Sequence, residues 1–421
     1  MRKKTSTTTR SHQNRTPGPT ELHADASRVL FTLRESVRRV LDSLPFPAER
    51  GRDLEHNLKL HKTLAWRLAR LAYDPDPLAR IGQLPGAEGF ELFLNSAARA
   101  GAAQGALRGV RTSLADLEQF ARTHAGDRDS LEVLLRGLSS AEETSTDLRA
   151  SRRAAFRCAA YSWGVQTGTR ILGCVIRPAP GGRADVATIR GHVRVRRVRS
   201  EGMLRLSRTV EHDTDQPDGR RARVAPIEPE SSVAGVPVLP QFSSVPLPAL
   251  QAVPLPGNNI EYCFADQKLG EKAAITIVTG EVRREIRGIR WKNPANSTNV
   301  LMITVRDPAE EAVIDLWAPP EFGIEHRALV VSAAGADPVA QAPECWLELP
   351  VPIQVQRLGR GMLGARLPSA VMWVDAVRSC MDRLNWNPAD FELHRVRLEY
   401  PIVGTAIVLQ TTLPDRPASG E

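Results

Sequence analysis

Proline sets the first limit on what this chain can fold into. Of 31 prolines in 421 residues, a dense group lies in "DTDQPDGRRARVAPIEPE" (213–230) and "VPVLPQFSSVPLPALQAVPLPG" (236–257). Each removes a backbone donor and fixes φ, so neither a helix nor a central strand can run through. Residues 200–258 are therefore read as a linker, or as an extended strap lying on a domain surface. The patterning differs on either side of them. Residues 25–170 are rich in Ala, Leu and Arg, with apolar positions recurring at the helical period. Residues 171–199 turn β-like, and "DVATIRGHVRVRRVR" (185–199) alternates apolar and basic positions. From 259 to 415 short β-patterned runs return, among them "NVLMITV" (299–305), "AVIDLWA" (312–318) and "AIVLQTTL" (406–413). One amphipathic run interrupts them, "SAVMWVDAVRSCMDRLNW" (369–386), with Val371, Val374, Val377, Met381 and Leu384 spaced to pack on a sheet. The expected class is α+β: an all-helical N-terminal domain, a Pro-rich connection, and a β-rich domain with one covering helix. The strand expected at "FELHRVRLEY" (391–400) has no purely apolar face, so its buried side is left open.

Charge narrows the partners. The chain carries a formal +8, which favours an anionic partner without bearing on fold. Its first twenty residues, "MRKKTSTTTRSHQNRTPGPT", hold five basic groups and no acid, and residues 1–24 are expected to form a disordered basic arm. That stretch lacks the apolar core of a signal peptide, and no run of about 18 apolar residues occurs, so a cytoplasmic protein without a membrane span is expected. Five cysteines, at 158, 174, 263, 345 and 380, are scattered and never spaced C-x-x-C, which argues against a zinc site and a disulfide framework.

The most specific pattern lies near the N-terminus. "DASRVLFTLRESVRRVLDSL" (25–44) sets Val29, Leu30, Leu33, Val37, Val40, Leu41 and Leu44 on one helical stripe, with Asp25 or Ser27 able to cap it. A second helix is expected from near Pro47 to Leu58, a short turn at Lys59–His61, and a third helix from Lys62 to Tyr73 that "DPDP" (74–77) ends. Two helices joined by so short a turn match the geometry of a helix-turn-helix. The twenty-residue template of that motif, begun at Gly51, wants apolar side chains where Leu54, Leu58, Leu60, Ala65 and Leu68 stand. The positions facing outward are then His61, Lys62, Thr63, Trp66, Arg67 and Arg70.

On these residues the stretch 47–73 resembles the helix-turn-helix transcriptional regulators of bacteria, and "LKLHKTLAWRLARL" looks like their turn and recognition helix. The sequence departs from the family at two points: Glu55 stands where a small residue is usual, and Lys59 where the turn usually has glycine. The resemblance implies that Lys62–Tyr73 enters the DNA major groove with His61, Lys62, Thr63, Trp66, Arg67 and Arg70 as its contacts. It also implies that the β-rich domain senses a ligand or assembles a homo-oligomer through 259–415. The plain alternative for the motif is an αα-hairpin with a basic face, with RNA or protein binding beside it. For the whole chain it is a non-enzymatic assembly protein that binds a partner protein or bulk nucleic acid.

Elsewhere the helical runs 85–101, 106–126 and 130–138 read as structural. The run 147–171 is expected to be one helix with Phe156, Ala160 and Trp163 along one face and Arg152, Arg153 and Arg157 opposite. Catalytic constellations are wanting: no G-x-x-x-x-G-K-[ST], no G-x-S-x-G and no H-E-x-x-H occurs. "GRGMLGA" (359–365) is read as a turn, "EHDTD" (211–215) as a solvated loop, and "IEHR" (324–327) as weaker still. No enzymatic activity, metal or cofactor is expected.

Overall fold

The computed structural model describes residues 19–75, 81–136, 141–200, 205–208, 224–233, 235–247, 250–255, 259–264, 269–286, 288, 298–322, 325–333 and 345–415. The basic residues of the N-terminal arm before Pro19 and the "EHDTD" cluster lie outside them. Two compact units divide the chain, 1–147 and 148–421. The class is α+β, helical in the first unit and β-rich in the second.

The first unit is built from α1 (Pro19–Asp42), α2 (Gly51–Leu58), α3 (Lys62–Tyr73), α4 (Ala87–Arg99), α5 (Gln104–His124) and α6 (Arg128–Arg136). Its core is one cluster in which Leu30, Leu33, Val37, Val40 and Leu41 of α1 meet Leu54, Leu68, Leu71, Phe90, Phe93, Leu107 and Val110. The stripe expected on residues 25–44 is thus the buried one. The helix starts earlier than Asp25, however, so Ser27 caps nothing and its hydroxyl donates back to the His23 carbonyl. Where α1 meets α5, Ser36 and Ser113 share a buried hydrogen bond of 2.8 Å. The second helix begins at Gly51, later than Pro47, because Phe46 and Ala48 are drawn onto the core and Arg50 stays extended as the N-cap residue.

Helix α7 (Ala141–Trp163) crosses the division, and its residues from Leu148 onward belong to the second unit. It stops at Trp163, well before 171. Gly164 takes φ +71°, and the β-branched alternation of Val165, Thr167, Thr169 and Ile171 then runs as a strand. Phe156 and Ala160 are buried as expected, but Trp163 is 51% exposed. Arg152, expected on the open face, is buried and donates to the Glu399 carbonyl.

In the second unit the strands are β1 (Val165–Ala179), β2 (Arg183–Arg197), β3 (Arg205–Arg208), β4 (Val224–Pro226), β5 (Leu250–Leu255), β6 (Asn259–Phe264), β7 (Ile275–Ile286), β8 (Thr298–Thr304), β9 (Ala309–Ala318), β10 (Glu325–Ser332), β11 (Glu348–Leu349), β12 (Val355–Arg360), β13 (Glu392–Glu399) and β14 (Thr405–Thr412). They form a seven-stranded sheet in the order β12-β13-β9-β1-β2-β7-β4, a four-stranded sheet β11-β10-β14-β8, and a small sheet β3-β6-β5. Among the described residues the strand ladders are antiparallel except β1 with β9. Residues 171–199 are therefore no separate segment: β1 and β2 form the middle of the large sheet. Nor is 200–258 a free linker where it is described. Val224–Pro226 pairs with β7, the Leu239 amide donates to the Val278 carbonyl at 2.8 Å, and the Pro237 carbonyl accepts from Gly280. Proline can accept along such an edge while donating nothing, and this is the geometry of a strap.

Both faces of the large sheet are covered. Leu172, Cys174, Ile314, Leu316, Val396 and Leu398 face Ile407, Leu409 and Val330 of the four-stranded sheet. On the other face Ile171, Val175, Val313, Trp317 and Leu393 meet α8 (Trp373–Arg383), the covering helix expected within 369–386. Its buried stripe is Trp373, Ala376, Val377, Cys380 and Met381, while Val371 precedes the helix and is 83% exposed. Trp373 lies against glycine: a Cβ on Gly173 would stand 2.8 Å from its ring.

Coverage on both faces also explains β13, where Arg395 is buried against a partner carboxylate while Arg397 stays exposed. Arg395 forks onto Asp315 at 2.6 and 2.7 Å and donates to the Ala365 and Arg366 carbonyls. The Trp373 indole donates to the same carboxylate at 2.9 Å. Asp315 is 0% exposed, so removing it strands a buried guanidinium. Asp315→Ala should lower unfolding free energy by about 3–5 kcal/mol in urea titration. Arg327→Ala, which breaks the exposed Arg327–Glu348 pair, should cost ~1 kcal/mol or less.

Candidate nucleic-acid interface

The site is assembled by how α2 crosses α3. A Cβ on Gly51 would stand 2.9 Å from the Trp66 Cα, so the first residue of α2 rests directly on the α3 backbone. The turn that follows α2 needs a left-handed residue, and Lys59 supplies it at φ 53°, ψ 39°. A non-glycine residue accepts that conformation at a cost of about 1 kcal/mol. Leu60 is then drawn into the core. At the start of α3 the His61 ring accepts from the Thr63 amide at 3.3 Å, a side-chain N-cap for one of the helix's open donors.

This crossing fixes which arc of α3 is hidden. Ala65, Leu68, Ala69, Leu71 and Ala72 are buried, and with Leu54, Leu58 and Leu60 they occupy every apolar position of the template. His61, Lys62, Thr63, Trp66, Arg67 and Arg70 are all exposed. Glu55, the first departure from the family pattern, also points outward and disturbs no packing. At 3.6 residues per turn the outward side chains form two adjacent rows, Lys62–Trp66–Arg70 and Thr63–Arg67. No acidic residue occurs in α3, and among the described residues no carboxylate pairs with Lys62, Arg67 or Arg70. The Arg70 guanidinium lies over the Trp66 ring at 4.4 Å from its centroid. The far end of α3 is tied to α1, where Arg34 donates to the Ala72 carbonyl and the Arg38 guanidinium lies over the Tyr73 ring.

The arrangement suits anion recognition: a rigid helix displaying three cations, a hydroxyl, an imidazole and one indole on one surface. All six outward residues were legible from the template. Missed from sequence was the role of Gly51, whose signal was its place at the template's first position. Elsewhere, among the described residues, no group of three or more His, Cys, Asp or Glu is arranged to hold a metal ion. No helix among them is long and apolar enough to cross a membrane. Neither the models of known protein families nor the curated protein sequences contain a match to this chain, so the helix-turn-helix likeness stands on these residues alone.

One titratable pair lies in the second unit. His326 on β10 and His394 on β13 have ring centroids 4.0 Å apart, and the His326 Nδ1 shares a 2.9 Å hydrogen bond with the Thr411 hydroxyl. Burial, reinforced by the neighbouring His394, holds the His326 imidazole down at about 4 from an ordinary 6.5; Glu392 opposes this and Arg357 adds to it. Burial lowers His394 as well. The pair reads as structural, tying β10 to β13 by ring contact and to β14 through Thr411. Between pH 6.5 and 4 the unfolded chain binds a proton at residue 326 that the folded chain refuses. Stability should therefore fall as pH drops through that window and be unaffected by this group above it. Thermal unfolding midpoints followed from pH 7 to 4 should show the decline, and His326→Gln should flatten it.

Proposed function

We propose that this chain is a DNA-binding transcriptional regulator of the cytoplasm. In this reading α3, Lys62–Tyr73, enters the major groove of double-stranded DNA, and the second unit assembles the protein as a homo-oligomer through 259–415 or senses a ligand. One observation carries the reading: the crossing at Gly51 hides all of the template's apolar positions and leaves its six outward positions exposed, with three cations that no carboxylate neutralises among the described residues. An ordinary helical hairpin has no reason to keep one helix free of acids on its open face. The formal +8 of the whole chain adds long-range attraction to a polyanion.

Roles within the face follow from position. Lys62 and Thr63 stand at the N-terminal end of α3, where a recognition helix comes nearest to base edges. Arg67 lies one turn further along the row of Thr63 and can fork onto guanine O6 and N7. Arg70 lies furthest along and is placed for a phosphate. Against a duplex selected from a random library, Thr63→Ala or Arg67→Ala should weaken binding by about 1–3 kcal/mol and relax the selected sequence. Arg70→Ala should weaken all duplexes alike and reduce the salt dependence. Unchanged binding by Arg67→Ala and Arg70→Ala, with helicity retained by circular dichroism, would reduce the motif to a plain hairpin.

A further inference from the structure

Trp66 is not accounted for by charge. It is 46% exposed in the middle of a row between Lys62 and Arg70. The Arg70 guanidinium lies against one face of its ring, 4.4 Å from the centroid. Among the described residues the indole N–H has no protein partner. Trp66 therefore presents two things to whatever docks on α3, an apolar surface and a single donor with no acceptor among the described residues.

In a major groove only one natural base pair offers the complement of that set. Thymine carries a C5 methyl, the one apolar group on the groove floor, next to the O4 acceptor. Guanine has acceptors without a methyl, and cytosine presents a donor where the indole N–H would need an acceptor. We propose that Trp66 is a specificity-determining residue that selects a thymine, its ring surface against the methyl and its N–H within reach of O4. This inference rests on the DNA-binding reading above and adds to it the identity of one base.

The test uses the full chain and two random 25-bp duplex libraries, one built with thymine and one with deoxyuridine, which lacks only the methyl. Selection from the thymine library should return a site with an invariant thymine, and changing that base to deoxyuridine should weaken binding roughly fourfold, the worth of one buried methyl. Trp66→Ala should bind the thymine and deoxyuridine sites equally well. Failure to select any sequence from the thymine library would remove the DNA-binding reading itself and this inference with it. A selected site that binds equally with deoxyuridine at every thymine would overturn the role of Trp66 alone, and that comparison needs no variant. A change in oligomeric mass on Trp66→Ala by light scattering, with thymine preference intact, would likewise overturn it by assigning the indole to a protein interface.

Discussion

The contact of Gly51 with the backbone of Trp66 decides what the first unit can offer a partner. Helices cannot approach so closely over a side chain, and the absent Cβ lets α2 lie across α3. Once they are that near, Leu54 and Leu58 reach the row of Ala65, Leu68 and Ala69, whose short alanines fill the crossing without pushing it apart. The turn has to reverse within three residues, which places Lys59 in the left-handed region and sends Leu60 inward. The orientation of α3 about its own axis follows. With one arc committed to the core, the opposite arc is left to solvent, and it carries three cations and no acid.

In the second unit the organising element is a buried charge. The large sheet has no solvent face through its centre, yet Asp315 and Arg395 stand on adjacent strands within it. The pair is tolerable because four of the five guanidinium N–H groups and both carboxylate oxygens find partners: two contacts between the pair, the Trp373 indole, and two loop carbonyls. Ion pairs of this kind add specificity of register more than stability. A one-residue slip of β13 on β9 would place Arg395 on the wrong face and Leu398 opposite a carboxylate. Trp373 ties the same carboxylate to α8, so the covering helix, two strands and the preceding loop share one polar anchor.

Sequence patterning carried far in the first unit because its helices are one-sided. The stripes on α1, α4 and α5, the bounds of α3 and every outward residue on it could be read from a 3.6-residue period. It carried less far where tertiary context overrides local pattern. Arg152 looked solvent-facing on helical spacing but is paid for by the Glu399 carbonyl. β13 looked ambiguous because Arg395 is paired in the interior with Asp315 of the neighbouring strand, an arrangement that no single strand reveals. The proline-rich stretch could be excluded from helix and central strand, yet only the structure shows Val224–Pro226, Pro237, Leu239 and Ser244 hydrogen-bonded along β7. Val371 fitted the helical stripe of 369–386 by spacing alone and falls outside α8, because that helix begins two residues later at Trp373.

The account's central claim is that the exposed arc of α3 is where this protein meets DNA. Hydrogen–deuterium exchange of the full chain, with and without a duplex selected from a random library, tests it most directly, since it requires no substitution and surveys both units at once. The account predicts that bound duplex slows exchange in peptides spanning Gly51–Tyr73, with the strongest effect in the first turns of α3. Bound duplex with slowing confined to residues 148–421, and none across Gly51–Tyr73, would contradict it.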